Sequence, residues 1–202
     1  MHADACSTRQ RILEAARELF NQKSYKAVTM REIAAHAGIA VGNLTYHFKR
    51  KEDIARVLMD GEVNATLLSA PLTGVRRLHA VLSLILDTLT RNPFYFLDSD
   101  MAALVGQSDR LNSQRVQRQL YEVTDALVAG GLMKQEFHGA QQEAVLQMLL
   151  LAHITWLRDL IRSGEDMAQA KQRFLALHWR VLSAYLTEAG LAQLEELYQS
   201  SK

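Results

Sequence analysis

The sequence predicts an all-α fold, on three observations. Apolar residues recur at steps of three and four over long stretches, the period of helices with a buried side. No stretch shows the alternation of apolar and polar residues that marks a half-buried strand. Only two prolines occur in 202 residues, and both stand where the helical periodicity breaks. With 49% hydrophobic residues, a chain of this length can bury a large core as one compact domain or two small ones. About nine or ten helices account for the periodic segments.

The first helix opens at Ser7, with Gln10 at the capping-box position, and places Ile12, Leu13, Ala16, Leu19 and Phe20 on one face. Asn21 to Val28 is a connection in which Tyr25 docks into the core. Thr29 and Glu32 start a second helix at about Met30, because the hydroxyl and the carboxylate can each satisfy one free backbone N–H. Met30, Ile33, Ala34 and Ala37 form its buried stripe. Gly38 ends it, since glycine takes the left-handed conformation readily, and Ile39 packs back on the preceding turn. A third helix runs from about Val41 to Phe48. Leu44 and Phe48 point inward, leaving Val41, Gly42, Asn43, Thr45 and Tyr46 on its other faces.

Two short helices joined by a glycine turn make a helix-turn-helix, whose second helix enters the major groove of DNA. This stretch resembles the tetracycline-repressor (TetR) family of bacterial transcriptional regulators. The resemblance rests on Thr29, Ile33-Ala34, Ala37-Gly38-Ile39, Gly42, Leu44, Tyr46-His47-Phe48 and Lys51, at the family's spacing, and covers roughly the first quarter of the chain. It implies a three-helix DNA-binding domain over residues 1–52 and a helical effector-binding and dimerisation domain over 53–202. Three positions depart from the family pattern. Ala40 replaces a serine or threonine and cannot cap the third helix, Thr45 stands where an aromatic is common, and Ser24 stands where a glycine is frequent.

The resemblance brings Thr29 and Arg31 to the DNA backbone, where a helix N-terminus also offers N–H groups to phosphate. Val41, Gly42, Asn43 and Thr45 are the groove-facing candidates: Asn43 suits adenine, and Val41 or the Thr45 methyl suits a thymine methyl. Tyr46, His47 and Lys51 are expected on phosphates, which position the protein without reading sequence. The plain alternatives are a cap alone for Thr29, a core-edge residue for His47 and solvated side chains for Tyr46 and Lys51. Charge supports the assignment. Residues 1–56 carry ten Lys/Arg against six Asp/Glu, a net +4, while the remainder carries thirteen against sixteen, a net −3. A basic head on a mildly acidic body suits one end that meets phosphate.

Lys49-Arg50-Lys51 leads into a fourth helix carrying Ile54, Val57, Leu58 and Gly61 to about Ser69. The resemblance makes it the link whose motion sets the separation of two heads in a dimer. Pro71 marks the next boundary. Thr73 is a cap for a fifth helix with Val75, Leu78, Leu82, Ile85 and Leu89, ended by Asn92-Pro93. Phe94-Tyr95-Phe96 opens a shorter helix fading at Gly106. Another begins near Ser108 or Asp109 and carries Val116, Leu120, Val123 and Leu127 to Gly130-Gly131. After a loop from Lys134 to Gly139, Gln141 to about Arg162 and about Met167 to Glu188 form two long helices apolar on more than one side. The family pairs two such C-terminal helices across a homodimer's twofold axis, and His178 and Trp179 are expected in that packing. A short helix from Leu191 to Tyr198 closes the chain.

Tyr95, Asp98, Tyr121, His153, Trp156 and Arg158 are polar or amphipathic residues in apolar settings and suit an effector pocket, or else satisfied core positions. No metal or cofactor is expected: the seven histidines are dispersed and Cys6 is the single cysteine. No nucleophile elbow, Walker loop or dinucleotide glycine fingerprint is visible, so no enzymatic activity is expected. No signal peptide and no uninterrupted apolar run of membrane-spanning length are visible, which predicts a cytoplasmic protein without a membrane partner. The expected function is a homodimeric, ligand-responsive regulator, most naturally a repressor on a palindromic operator of double-stranded DNA, released by a small-molecule effector. The alternatives are a helical carrier or enzyme with a vestigial head, and a nonspecific architectural DNA-binding protein.

Overall fold

A computed structural model of the chain describes residues 7–58, 72–94 and 106–200, with the backbone alone at 106–115, 154, 158 and 162. Among them the fold is all-α. The elements are α1 (Thr8–Lys23), α2 (Met30–His36), α3 (Val41–His47), α4 over 51–58, α5 (Gly74–Arg91), α6 (Gly106–Ala129), α7 (Ala140–Ser163), α8 (Met167–Leu182) and α9 (Glu188–Gln199). A 3-10 turn, Ser183–Tyr185, follows α8, and one isolated antiparallel bridge joins Met133 to Leu186. The chain divides into two compact units, Met1–Glu62 with Arg91–Asn112, and Val63–Thr90 with Ser113–Lys202.

In the first unit both expected capping boxes form. The Ser7 hydroxyl accepts from the Gln10 amide and the Gln10 side chain accepts from the Ser7 amide, each at 3.2 Å. Thr29 and Glu32 exchange the same pair of bonds at 3.2 and 2.9 Å. Gly38 takes φ +66° and ends α2, while the Ile39 amide donates to the Ala34 carbonyl at 3.0 Å. Ala40 gives α3 no side-chain cap. The core is apolar: Ile12, Ala16, Leu19, Phe20, Tyr25, Ile33, Ala34, Leu44, Phe48, Ile54 and Leu58 are all buried. Phe94 joins it, 5.1 Å from the Phe20 ring, held by Asn21, whose amide donates to the Arg91 carbonyl and accepts from the Phe94 amide.

In the second unit α5 buries Val75, Leu78, Leu82, Ile85 and Leu89, as the spacing predicts. The helix expected from Ser108 or Asp109 already includes Gly106, the residue at which the preceding one was expected to fade. It ends at Gly130-Gly131, with Gly131 at φ +69°. By length and composition alone, Ala140–Ile161 in α7 is apolar enough to cross a membrane, although Glu143, Arg158 and Asp159 interrupt its apolar run. In this fold that helix buries Gln142, Leu146, Leu149, His153, Leu157 and Leu160. Gln142 donates to Thr124 and Asp125 of α6 at 2.8 and 2.7 Å.

The helix expected from Met167 to Glu188 stops at Leu182. Tertiary bonds take over the next carbonyls: the Lys134 amide donates to Tyr185 at 2.8 Å and the Lys134 ammonium to Ala184 at 2.8 Å. Thr187 then caps α9, which starts three residues before the expected Leu191. Gly190 lets α9 lie on the preceding loop, because a Cβ there would stand 2.1 Å from the Leu132 carbonyl oxygen. The positions Gly61, Ser69 and Pro71 lie outside the described residues, as does Phe96.

Candidate nucleic-acid interface

The apolar core of the first unit fixes which side of α3 meets solvent. Leu44 and Phe48 are buried on one side, and Val41, Gly42, Asn43, Thr45 and Tyr46 are exposed on the others. Tyr46 is 85% exposed, the extreme among the exposed apolar residues described. A Cβ on Gly42 would meet nothing within 4 Å, so the surface there is open to a close approach. Thr45 donates to the Gly42 carbonyl at 3.0 Å, which uses its hydroxyl within the helix. His47 is half-buried, with its ring edge-on to Tyr46 at 5.4 Å.

Polar contacts around this surface hold the two motif helices. Arg11 donates to the carbonyls of Ala37 at 2.6 Å and Gly38 at 3.4 Å, fixing the turn from behind. His36 lies 2.6 Å from the Glu18 carboxylate and links α2 to α1. Thr29 both accepts from and donates to Glu32, and the Lys23 ammonium sits 3.1 Å from the same carboxylate. Hydrogen bonds from the Thr29 amide, Lys23 and the Thr29 hydroxyl hold the Glu32 carboxyl down at about 2. Thr29 is therefore a cap here, whatever else it touches.

Lys51 has a role the sequence did not signal. Its ammonium donates to the carbonyls of Tyr25, Lys26 and Val28 at 2.9, 3.3 and 3.0 Å and lies 4.4 Å from the Tyr25 ring centroid. An ammonium has three donors, so all of them are engaged in tying the α1–α2 connection to α4. Arg31 and Lys49, by contrast, are exposed and carry no ion pair among the described residues. Lys49 was not singled out by the motif, although it belongs to the basic run 49–51.

The family model described as bacterial regulatory proteins, tetR family, matches residues 12–58, which span the helix-turn-helix and its supporting helices. Over these residues the chain is similar to the N-terminal domain of TetR-family regulators. Among curated relatives, the HTH-type transcriptional regulator SAB2452 of Staphylococcus aureus strain bovine RF122 / ET3-1 is 38% identical over 64 residues, 32% of this chain and 35% of its own length. The HTH-type transcriptional regulator UidR of Escherichia coli strain K12 is 35% identical over 77 residues, 37% of this chain and 39% of its own length. The chain thus matches little more than a third of the length of these relatives. Over almost the whole chain the likeness is one of fold. A TetR-family regulator from Marinobacter aquaeolei VT8 has a TM-score of 0.70 at 24% identity, covering 96% of this chain and 98% of its own.

Beyond the TetR-type head, the residues expected in an effector pocket divide. Tyr95 and Asp98 lie outside the described residues, as do Cys6 and the side chain of Arg158. Tyr121 and Trp156 are half-buried. His153 is fully buried, and Trp156 stacks on Phe174 of α8 at 4.3 Å with 6° between planes. His178 and Trp179, expected in dimer packing, are instead 1% and 2% exposed within the single chain. Trp179 donates to His79 of α5 at 3.0 Å. Among the described residues, the exposed large apolar side chains of these two helices are Met148 and Leu151 on α7 and Met167, Leu177 and Val181 on α8. A separate cleft of about 440 Å³ is lined by Leu72, Thr73, Arg77, Val123, Leu127 and Gln193, among others, and contains none of the expected pocket residues.

Proposed function

We propose that this chain is a TetR-family transcriptional regulator that reads a palindromic DNA operator as a homodimer, represses transcription there and is released by a small-molecule effector. The observation that carries it is the exposure of Val41, Gly42, Asn43, Thr45 and Tyr46 beside Arg31 and Lys49, cations exposed and without an ion pair among the described residues. Residues 1–52 are the DNA-binding segment and 53–202 the effector and dimerisation segment. Asn43 reads a base edge, Val41, Gly42 and Thr45 border the groove, and Arg31, Tyr46 and His47 meet phosphate. Thr29 and Lys51 support this surface, and any phosphate contact of theirs adds to their bonds within the head. Met148, Leu151, Leu177 and Val181 are the apolar seam of the dimer. Two heads about 34 Å apart then fit successive major grooves, and an effector that favours another separation lowers operator affinity. The regulator needs no cofactor, membrane or enzymatic step.

Selection of random duplexes by the purified protein, followed by sequencing of the bound pool, tests this reading. The expected result is a palindrome enriched by the wild type, absent with Tyr46→Ala, and relaxed at one or two base pairs with Asn43→Ala. Equal recovery of all duplexes would identify a nonspecific binder. An unchanged preference in Asn43→Ala would move the recognition face elsewhere.

A further inference from the structure

Two histidines of the second unit share an unusual state. His153 on α7 and His178 on α8 are 2% and 1% exposed, with ring centroids 4.6 Å apart. The Nδ1 of each lies against the carbonyl four residues earlier, Leu149 at 2.5 Å and Phe174 at 2.8 Å. A carbonyl only accepts, so Nδ1 carries the hydrogen in both rings and Nε2 is left as a bare acceptor. Both Nε2 atoms are buried without a hydrogen-bond partner among the described residues. One unmet buried acceptor is already uncommon in a folded protein, and two on touching rings require a reason.

The surroundings narrow that reason. Burial first, and then the neighbouring His178, press the His153 ring down to about 3, and burial also lowers His178. Both rings are therefore neutral near pH 7 and offer lone pairs. Phe174 stands edge-on to His153 at 5.2 Å and to His178 at 4.6 Å, and Trp156 stacks on its face. The pair thus sits at the end of an aromatic wall whose outer member, Trp156, is half-buried. A metal ion is the first alternative, since metal-bound imidazoles also donate their other N–H to a carbonyl. No group of three or more His, Cys, Asp or Glu that could hold a metal occurs among the described residues, however, and two nitrogens fall short of the ligand set zinc takes. An anion would face two lone pairs, and a cation would lose its hydration in an apolar site.

We propose that His153 and His178 form the polar end of the effector site, and that the effector is a neutral aromatic molecule whose hydroxyl or N–H hydrogen is shared between their Nε2 atoms. Its ring lies beside Trp156 and Phe174. This rests on the ligand-responsive reading above, and the test separates the two.

Calorimetry on the full-length protein, without DNA, with 4-ethylphenol and 4-ethylanisole as probes compares a donor with an ether of similar shape. The phenol is expected to bind about tenfold tighter than the ether, one hydrogen bond's difference. His153→Phe and His178→Phe should each shrink that preference while still binding the ether. Nitrogen NMR of labelled histidine keeps the proposal testable where a variant fails to fold: the phenol should shift the two Nε2 resonances of the wild type and the ether should not. Equal affinities for the two probes, a preference that survives in folded variants, or unmoved Nε2 resonances would overturn it. Zinc binding that both variants abolish, without a phenol preference, would overturn it in favour of a metal site. If the phenol binds through the pair yet leaves operator affinity unchanged, the site stands and the effector reading fails.

Discussion

Residues 7–58 and the second compact unit handle polarity in opposite ways, although the first unit also buries Asn92 in its second segment. Between residues 7 and 58 the fully buried side chains are apolar or aromatic, and the charged ones work at the rim, as Arg11, Lys23 and Lys51 do. The second unit buries Thr88, Thr124, Gln142, His153 and His178 outright. A small apolar core with charged clamps suits a head that presents a fixed surface. Buried polar groups instead place a share of the body's stability in hydrogen bonds whose completion can depend on a ligand.

Lys51 and Lys49 offer the largest test of this contrast, because both are basic residues beside the motif. Lys51→Met removes the ammonium from three carbonyls, two of them part-buried, and should cost about 1–3 kcal/mol in urea unfolding. Lys49→Met touches no described partner and should stay within about 0.5 kcal/mol, while lowering duplex affinity and making its salt dependence shallower. If the two variants unfold alike and differ only in DNA affinity, Lys51 is a phosphate contact and the clamp contributes little.

Acid should separate the units next. His153 titrates lower in the folded state, at about 3 against an ordinary 6.5. The unfolded chain therefore gains protons first, and stability present above pH 6.5 is lost as pH falls from there toward 3. His178 and His79 are shifted the same way, chiefly by burial. In the head the corresponding group is Glu32, lowered from 4.5 to about 2, so its contribution holds above pH 4.5 and fades only below that. Hydrogen exchange followed from pH 7.5 to 5 should show α7 and α8 loosening while α1–α3 stay protected. His153→Phe should flatten the body's response. Equal loosening of both regions over that interval would remove the distinction.

What the sequence disclosed follows the same division. The head was legible because its signals are local: Ser7/Gln10, Thr29/Glu32 and Gly38 each act within a few residues. Lys51 was not, since its partners lie 23–26 residues away and a lysine in a basic run looks like a phosphate contact. In the body, helical periodicity located the helices but misjudged α8, because the Lys134 contacts that replace helical bonding after Leu182 come from 50 residues upstream. His178 and Trp179 were assigned outward for a related reason. A helix apolar on several sides does not disclose which side meets its own chain.

The smallest predicted effect concerns the backbone. Among the described residues of the body, φ is positive only at glycines, Gly74, Gly131, Gly139 and Gly164, whereas the head has Gly38 and also Ser24. Ser24 closes α1 at φ 73°, ψ 151°, a region almost reserved for glycine, where other residues carry strain on the order of 1–3 kcal/mol. Glycine there relieves the strain but loses more chain entropy on folding, roughly 0.5–1 kcal/mol. Ser24→Gly should therefore stabilise the head by about 1 kcal/mol, visible as a higher urea midpoint at unchanged slope, whereas Gly131→Ala should destabilise the body. The Ser24 side chain is exposed, so the substitution removes no packing, and duplex preference should be unchanged. A lower midpoint for Ser24→Gly would mean that the serine has a favourable role at the end of α1 that outweighs its backbone strain.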